Sequence, residues 1–238
     1  MKISTSILIS CLLIFITIDA ACQTKTPGYM GKRVNLQLNV NTAPAVSSLI
    51  DLSTWSEALV DINPRVSINL EYTVGTSHAL SGSYERTSDQ IIIEKAKFQN
   101  EITGTIFGNT FTVGDKIFKS YTGSISPHGK YFIVKLSYHN MNLKDRGGFF
   151  GTDIKELGNY KSFSFGWGIG KQVVFSKKVN FNLLLTNSYN WDYLRYLLIS
   201  ANGYSPDYYG FNPLNTAVYR KLFADNILGV TVGLGILL

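Results

Sequence analysis

Hydrophobic and polar residues alternate along this chain in repeated segments of seven to eleven residues. From Arg33 to Val40, and again from Val66 to Val74, every second residue is apolar and the residues between are mostly polar. Successive side chains of a β-strand point to opposite faces, so a period of two predicts a strand that separates two different environments. Similar segments recur at residues 132–138, 162–170, 180–188 and 228–238.

The connections between these predicted strands alternate between long and short. Four long loops at one end of a sheet and three tight turns at the other are typical of an eight-stranded bacterial barrel. We therefore predict an all-β fold, an eight-stranded antiparallel transmembrane β-barrel. The long connections span 41–63, 87–108, 142–159 and 190–216, and the short ones lie near 75–78, 126–130 and 176–178.

Two regions leave the strand assignment open. Residues 87–110 are interpreted as a long loop with some order, although an added hairpin there would give ten strands. The fourth strand is predicted from Asn109 to Ser124, with Asp115 interrupting its apolar face. In the last long loop, residues 215–223 fit either the start of the final strand or a helical stretch.

Alternation alone does not say which face points outward, because a soluble eight-stranded ligand carrier has apolar residues in its lumen. The polar face here is rich in Ser, Asn and Gly, whereas a water-exposed surface normally carries more Lys and Glu. Aromatic residues of the apolar face lie near the strand ends, where membrane barrels carry interfacial girdles. They are Tyr72 and Phe132 at turn ends, and Tyr84, Tyr138, Phe163 and Tyr189 at loop ends.

Composition and the start of the chain agree with export to a membrane. Only 16% of the residues are charged, against about 25% in ordinary soluble domains. Lys2 and the apolar stretch 7–18 predict a signal peptide over residues 1–22. We expect the mature barrel to span 23–238 in the cell outer membrane. Cleavage one residue earlier and acylation of Cys22 are the alternatives.

The remaining composition limits the chemistry further. Cys11 and Cys22 both lie within the predicted signal peptide, so no disulfide framework is expected. The net charge of +6 comes from scattered residues without a basic stripe, which argues against nucleic-acid binding. No cofactor and no metal site are predicted, since no Cys pairs or clustered His occur.

Charged residues on the polar face are candidates for a lumen network. Arg33, Glu71, Glu85 and Lys135 are expected to pair across the interior, because isolated charges at low dielectric are costly. Eight strands leave an interior just wide enough for side chains. The structural interpretation is an ion-pair network that fills the barrel. The functional alternative is a pore lining or gate whose pairs rearrange.

An enzymatic function is not predicted. Ser137 and His139 share a strand face near the loop end, and some outer-membrane enzymes use Ser and His at that height. Nucleophilic catalysis needs a base within hydrogen-bond reach of the hydroxyl. Residues two apart on a strand lie about 7 Å apart, which is too far for direct contact.

The last long loop is rich in aromatic residues. Exposed aromatic rings are good anchors for contact with a protein or a glycan outside the cell. The alternative is that these rings pack against the rim of the barrel and extend its girdle. The residues are Trp191, Tyr193, Tyr196, Tyr204, Tyr208, Tyr209 and Phe211.

Several short segments, taken in their order along the chain, resemble those of a known protein family. They are Thr-Pro-Gly-Tyr-Met-Gly-Lys-Arg at 26–33, Asn-Pro-Arg at 63–65 leading into Ile-Asn-Leu-Glu-Tyr at 68–72, Ile-Ser-Pro-His-Gly-Lys-Tyr-Phe at 125–132, and Gly-Val-Thr-Val-Gly-Leu-Gly at 229–235. The chain resembles the small outer-membrane β-barrel proteins of Bacteroidetes-type bacteria. It departs from outer-membrane proteins in general by ending in Leu238 rather than an aromatic residue. The resemblance implies an outer-membrane barrel and supplies neither substrate nor catalytic residues.

Together these observations predict a monomeric outer-membrane barrel with a closed polar lumen and a structural or surface-contact role. Its expected partners are outer-membrane lipid, the barrel-assembly machinery during biogenesis, and an extracellular protein or glycan at the loops. The alternatives are a narrow, porin-like transport channel and a lipid-modifying enzyme.

Overall fold

The computed structural model describes residues 32–45, 61–93, 102–119, 127–145, 156–175, 178–211 and 213–238. The predicted signal peptide lies outside these residues, as do parts of the long connections. Within the described ranges the chain forms eight strands and two α-helices.

The eight strands pair in chain order, each antiparallel to its neighbours, and β1 also pairs with β8 to close a barrel. The predicted eight-stranded antiparallel β-barrel is therefore confirmed. We call the end that holds the β1–β2, β3–β4, β5–β6 and β7–β8 connections the loop end, and the opposite end the turn end. The strands are β1 (Val34–Ala45), β2 (Asp61–Thr73), β3 (His78–Ile93), β4 (Ile102–Phe118), β5 (Gly129–Asp145), β6 (Glu156–Val174), β7 (Val179–Asn190) and β8 (Gly229–Leu237).

The interpretation of residues 87–110 as a long loop is wrong. Strand β3 continues to Ile93 and β4 already begins at Ile102, and these two residues pair at the end of the β3–β4 ladder. Both strands therefore rise beyond the other strands at the loop end, and no extra hairpin makes ten strands. The fourth strand ends at Phe118 rather than at Ser124.

Side chains alternate between the inside and the outside of the barrel as the sequence predicts. On β2, Val66, Ile68 and Leu70 are more than half exposed on the outside, whereas Ser67 and Asn69 are buried inside. The same division holds on β8, where Val232, Leu234 and Ile236 point outward. The outer surface of the barrel is thus apolar and its interior is polar.

Glycines allow polar side chains to lie against the inner wall. On β8, a Cβ at Gly233 would collide with the side chain of Asn39, and one at Gly235 would collide with Asn35. These asparagines belong to β1, the strand paired with β8. The glycines of β8 therefore make room for polar side chains of the neighbouring strand.

The connection between β7 and β8 is helical, which corrects its interpretation as an aromatic-rich loop. Helix α1 (Trp191–Ala201) begins directly after β7, and helix α2 (Pro213–Ala224) precedes β8. The side chain of Asn190 caps α1 by accepting a hydrogen bond from the backbone N–H of Tyr193 at 3.0 Å. Neither helix, nor any other in the described ranges, is long and apolar enough to cross a membrane.

We predict that Gly170→Ala destabilises the barrel by about 1–3 kcal/mol, because a side chain there overpacks the interior. A Cβ at Gly170 would meet the ring of Tyr131, whereas a Cβ at Gly82 would meet nothing within 4 Å. Gly82→Ala is therefore the matched control. Urea unfolding of both variants in the same detergent measures the effect. Equal unfolding midpoints would contradict this packing.

Candidate functional site: the barrel interior and its helical cap

The interior of the barrel has three levels between its two ends. A network of charged and amide side chains, which we call the polar layer, crosses the lumen near the turn end. Above it lies a chamber with a volume of about 100 Å³. Helix α2 packs against the strands at the loop end, and we call this helix and its contacts the cap.

The polar layer is organised around one buried ion pair. Lys116 on β4 and Glu71 on β2 approach to 2.5 Å, and both side chains are almost fully buried. Lys116 also donates to the side-chain oxygen of Gln172 at 3.1 Å, and Gln37 donates to that same oxygen at 3.2 Å. Each charge is thus paired and hydrogen-bonded, which is the condition for holding it at low dielectric.

Amide side chains extend the polar layer across the remaining strands. Asn69 on β2 donates to Gln37 at 3.2 Å, and Asn180 on β7 donates to Asn35 at 2.7 Å. Because β1, β2, β4, β6 and β7 all contribute, the network crosses the full width of the lumen. Directly beside it lies a small apolar cluster formed by Ala79, Phe118, Tyr131, Ile133 and Leu184.

The chamber is lined mainly by small polar residues, with one buried histidine. Each ring nitrogen of His139 meets a hydroxyl, Thr110 at 2.9 Å and Ser164 at 2.8 Å. Ser137 instead pairs with the hydroxyl of Thr112 at 2.8 Å. The structure therefore does not bring Ser137 to His139. A serine–histidine contact does exist through Ser164, but the other ring nitrogen meets a hydroxyl rather than an orienting carboxylate.

A second ion pair lines the chamber. Arg65 on β2 contacts the carboxylate of Glu85 on β3 at 3.1 Å, and Asn41 also donates to that carboxylate. Lys135 faces the same chamber, and no carboxylate of a described residue lies within salt-bridge distance of it.

The cap is an apolar contact between α2 and the loop end of the barrel. Inward-facing residues change from polar to apolar there, with Ile106 on β4 and Met141 and Leu143 on β5. They form one buried cluster with α2, and this cluster replaces water at the mouth of the lumen. The helix contributes Ala217, Val218 and Leu222.

Charged groups fasten the cap to the strands. Lys221 on α2 contacts Asp89 on β3 at 2.7 Å and Asp225 at 3.2 Å. Arg65 donates to the backbone oxygen of Asp225 at 3.0 Å. Burial raises the pKa of Asp225 to about 6, although Lys221 and Arg65 oppose that shift. Burial lowers the pKa of Lys221, but the two aspartates outweigh it and the net shift is upward.

Three of the four predicted lumen residues face the interior of the barrel and one does not. Glu71, Glu85 and Lys135 all face the interior, whereas Arg33 lies one residue before β1 with an exposed side chain. The partners of the two glutamates are Lys116 and Arg65, which the sequence analysis missed. Arg65 shares the strand parity of Ser67, Asn69 and Glu71, so the alternation could have found it. Lys116 was missed because its outward-facing neighbour Asp115 interrupts the apolar alternation of β4.

The predicted aromatic contact residues divide into two groups. Tyr193 and Phe211 are buried, at 3% and 6% exposure, so their interpretation as surface contacts is wrong. Tyr193 packs against Phe223 at a ring distance of 5.0 Å, and Tyr196, which is half-buried, packs against Phe211 at 5.7 Å. These rings hold α1 against α2. The exposed members are Trp191, Tyr204, Tyr208 and Tyr209.

Among the residues that the structure describes, no group of His, Cys, Asp and Glu is arranged to hold a metal ion. The polar atoms of the interior are directed mainly toward one another.

No protein-family model matches the chain, and no curated protein sequence matches it. Similar solved structures include the N-terminal β-barrel domain of OprF from Pseudomonas aeruginosa, with 9% identity, a TM-score of 0.40, and coverage of 86% of this chain and 96% of that one. Ail, the attachment invasion locus protein of Yersinia pestis, has the same coverage in two structures. With the heparin analogue sucrose octasulfate it has 11% identity and a TM-score of 0.39. The other structure has 9% identity and a TM-score of 0.37.

We predict that Lys116→Met lowers the unfolding free energy by about 3–5 kcal/mol, because it leaves the buried carboxylate of Glu71 without its partner. The double variant Glu71→Gln with Lys116→Met should recover most of the loss, since no unpaired charge remains. Urea unfolding in detergent micelles measures both. If the single variant were as stable as the wild type, the polar layer would not hold a strongly coupled pair.

We predict that Asp225→Asn removes one pH-dependent part of the stability. Because the pKa of Asp225 is raised to about 6 from its ordinary value of 3.8, the folded state binds more protons than the unfolded state between these pH values. The unfolding free energy of the wild type should therefore decrease as the pH rises through this window, relative to the variant. Urea titrations between these two pH values compare the slopes, and parallel slopes would contradict the prediction.

Proposed function

We propose that this chain is an integral β-barrel protein of the bacterial outer membrane whose lumen is closed to free diffusion. The observation that carries the proposal is a band of exposed apolar side chains to which all eight strands contribute. Soluble monomers rarely expose a continuous apolar patch beyond a few hundred Å². The band includes Leu38, Ile68, Tyr84, Val113, Leu136, Phe165, Leu183 and Leu234.

Aromatic side chains border this band, as expected at the two interfaces of a membrane. Near the turn end lie Tyr72 and Phe132, both well exposed. On β5, Phe132 and Tyr138 are six residues apart, a distance of about 20 Å along the strand. We call the ring of aromatic residues nearer the other end the loop-end belt. It consists of Tyr84, Phe111, Tyr138, Phe163, Phe165 and Tyr189, which contact one another in pairs at ring distances of 5.1–5.7 Å.

Two barriers in series support the closed lumen. The polar layer crosses the barrel near the turn end, and the apolar contacts of α2 cover the loop end. A solute would have to separate the buried pair of Lys116 and Glu71 and also displace Val218 and Leu222 from the barrel mouth. The barrel thus acts as a membrane anchor that carries a folded cap.

The outer side of the cap supports a surface-contact role. Tyr208 is 92% exposed, and Tyr204 and Tyr209 contact each other beside it at a ring distance of 6.3 Å. Rigid aromatic rings provide a large contact area at a low entropic cost. In this proposal they meet an extracellular protein or glycan.

One observation favours the alternative of a narrow transport channel. The chamber of about 100 Å³ lies on the axis of the barrel and is lined by charged and hydroxyl-bearing residues, among them Arg65, Lys135 and Ser137. A channel would require both barriers to open.

The membrane proposal predicts a large cost for a charge on the apolar band. Leu136→Arg on β5 should destabilise the barrel by about 2–4 kcal/mol in lipid vesicles, as charges do near the middle of a bilayer. Tyr208→Arg, at a position outside the band that is even more exposed than Leu136 (92% against 50%), should stay within about 0.5 kcal/mol of the wild type. Urea unfolding in vesicles measures both. A negligible cost at Leu136 would show that this face meets water.

The closed lumen predicts that the purified protein in planar bilayers gives no steady ion current above that of the bare bilayer. Insertion is verified on the same preparation by protease protection of the strands. Reproducible single-channel steps from inserted protein would favour the channel instead.

A further inference from the structure

Helix α1 begins at the level of the loop-end belt. Its N-cap residue, Asn190, is in register with Ser164 on β6, which lies between Phe163 and Phe165 of the belt. Tyr189 precedes the cap and contacts Phe165 at a ring distance of 5.7 Å. Trp191, the first residue of α1, therefore continues the belt immediately beyond the last paired residue of β7.

The two faces of α1 have opposite environments. Tyr193 is buried against α2 through Phe223. With 3.6 residues per turn, Trp191, Leu194 and Leu198 lie on another face, within an arc of about 60°. Trp191 is 57% exposed and Leu198 is 63% exposed, while Leu194 is half-buried. The helix thus presents an apolar stripe outward that its contacts with α2 leave uncovered.

We propose that α1 lies in the headgroup region of the outer leaflet and turns this stripe toward lipid. This inference rests on the proposed outer-membrane location. The stripe is continuous with the belt, and Trp is the residue that favours a membrane–water boundary. Arg195 borders the stripe and is exposed, with its guanidinium carbon 5.9 Å from the ring centroid of Phe211, so it places a positive charge beside the stripe that lipid phosphates would attract. The helix then anchors the cap at a fixed height on the membrane.

Tryptophan fluorescence in vesicles of brominated lipids tests this placement with the full chain. The protein contains three tryptophans, Trp55, Trp167 and Trp191, and replacing two of them by Phe leaves a single reporter. Trp167 reports on the apolar band. In a background without native tryptophan, Leu198→Trp probes the stripe further along. Ser200→Trp is the matched control, at an exposed position near the C-terminal end of α1 that lies away from the stripe.

Trp191 and Leu198→Trp should lose fluorescence about two-fold or more to bromines near the headgroups and less to bromines deep in the acyl chains, as residues at the interface do. Ser200→Trp should instead be quenched by aqueous acrylamide. If Trp167 is quenched by lipid but Trp191 and Leu198→Trp are not, the placement of α1 is overturned while the membrane barrel stands. That outcome would point to a protein or water on the stripe. If Trp167 itself escapes lipid quenching, the proposed function fails.

Discussion

The alternation of side chains along strands that close on themselves is the constraint on which the rest of this structure depends. In a closed barrel every strand is hydrogen-bonded to a neighbour on both sides, so that no strand edge is exposed. Each strand must therefore direct its side chains alternately to the interior and to the outer surface of the barrel. Here the outside residues are apolar and the inside residues are polar. Because the apolar surface is directed outward, the interior is stabilised largely by hydrogen bonds and ion pairs, with small apolar clusters beside them.

The interior meets that requirement differently at its two ends. Near the turn end, Glu71 and Lys116 are buried together and surrounded by amides, which compensates part of the cost of removing charges from water. At the loop end the inward residues become apolar, and α2 completes a small hydrophobic cluster. The cap therefore folds by ordinary core packing on top of a barrel whose own interior is polar.

The strand pattern could be predicted from the sequence because alternation is a local property. Which charges pair with each other depends on the closed barrel, since Lys116 meets Glu71 only when β4 and β2 face the same lumen. Arg33 lies one residue before β1, the strand that would have turned its side chain inward. Helix α1 was missed for another reason, whereas α2 confirms the helical alternative for residues 215–223. The apolar residues Trp191, Leu194 and Leu198 of α1 have helical spacing, but the aromatic richness of the segment resembled a surface loop. The available sequence signal for α1 was Asn190, because asparagine is favoured at the N-cap position of a helix.

The direction in which the apolar face points is tested most directly by removing the detergent from the folded, purified protein and measuring its sedimentation. A barrel with lipid-facing side chains should remain dispersed only with detergent or lipid and should aggregate when both are absent, because its apolar band would meet water. A compact, stable monomer in plain buffer would contradict the account.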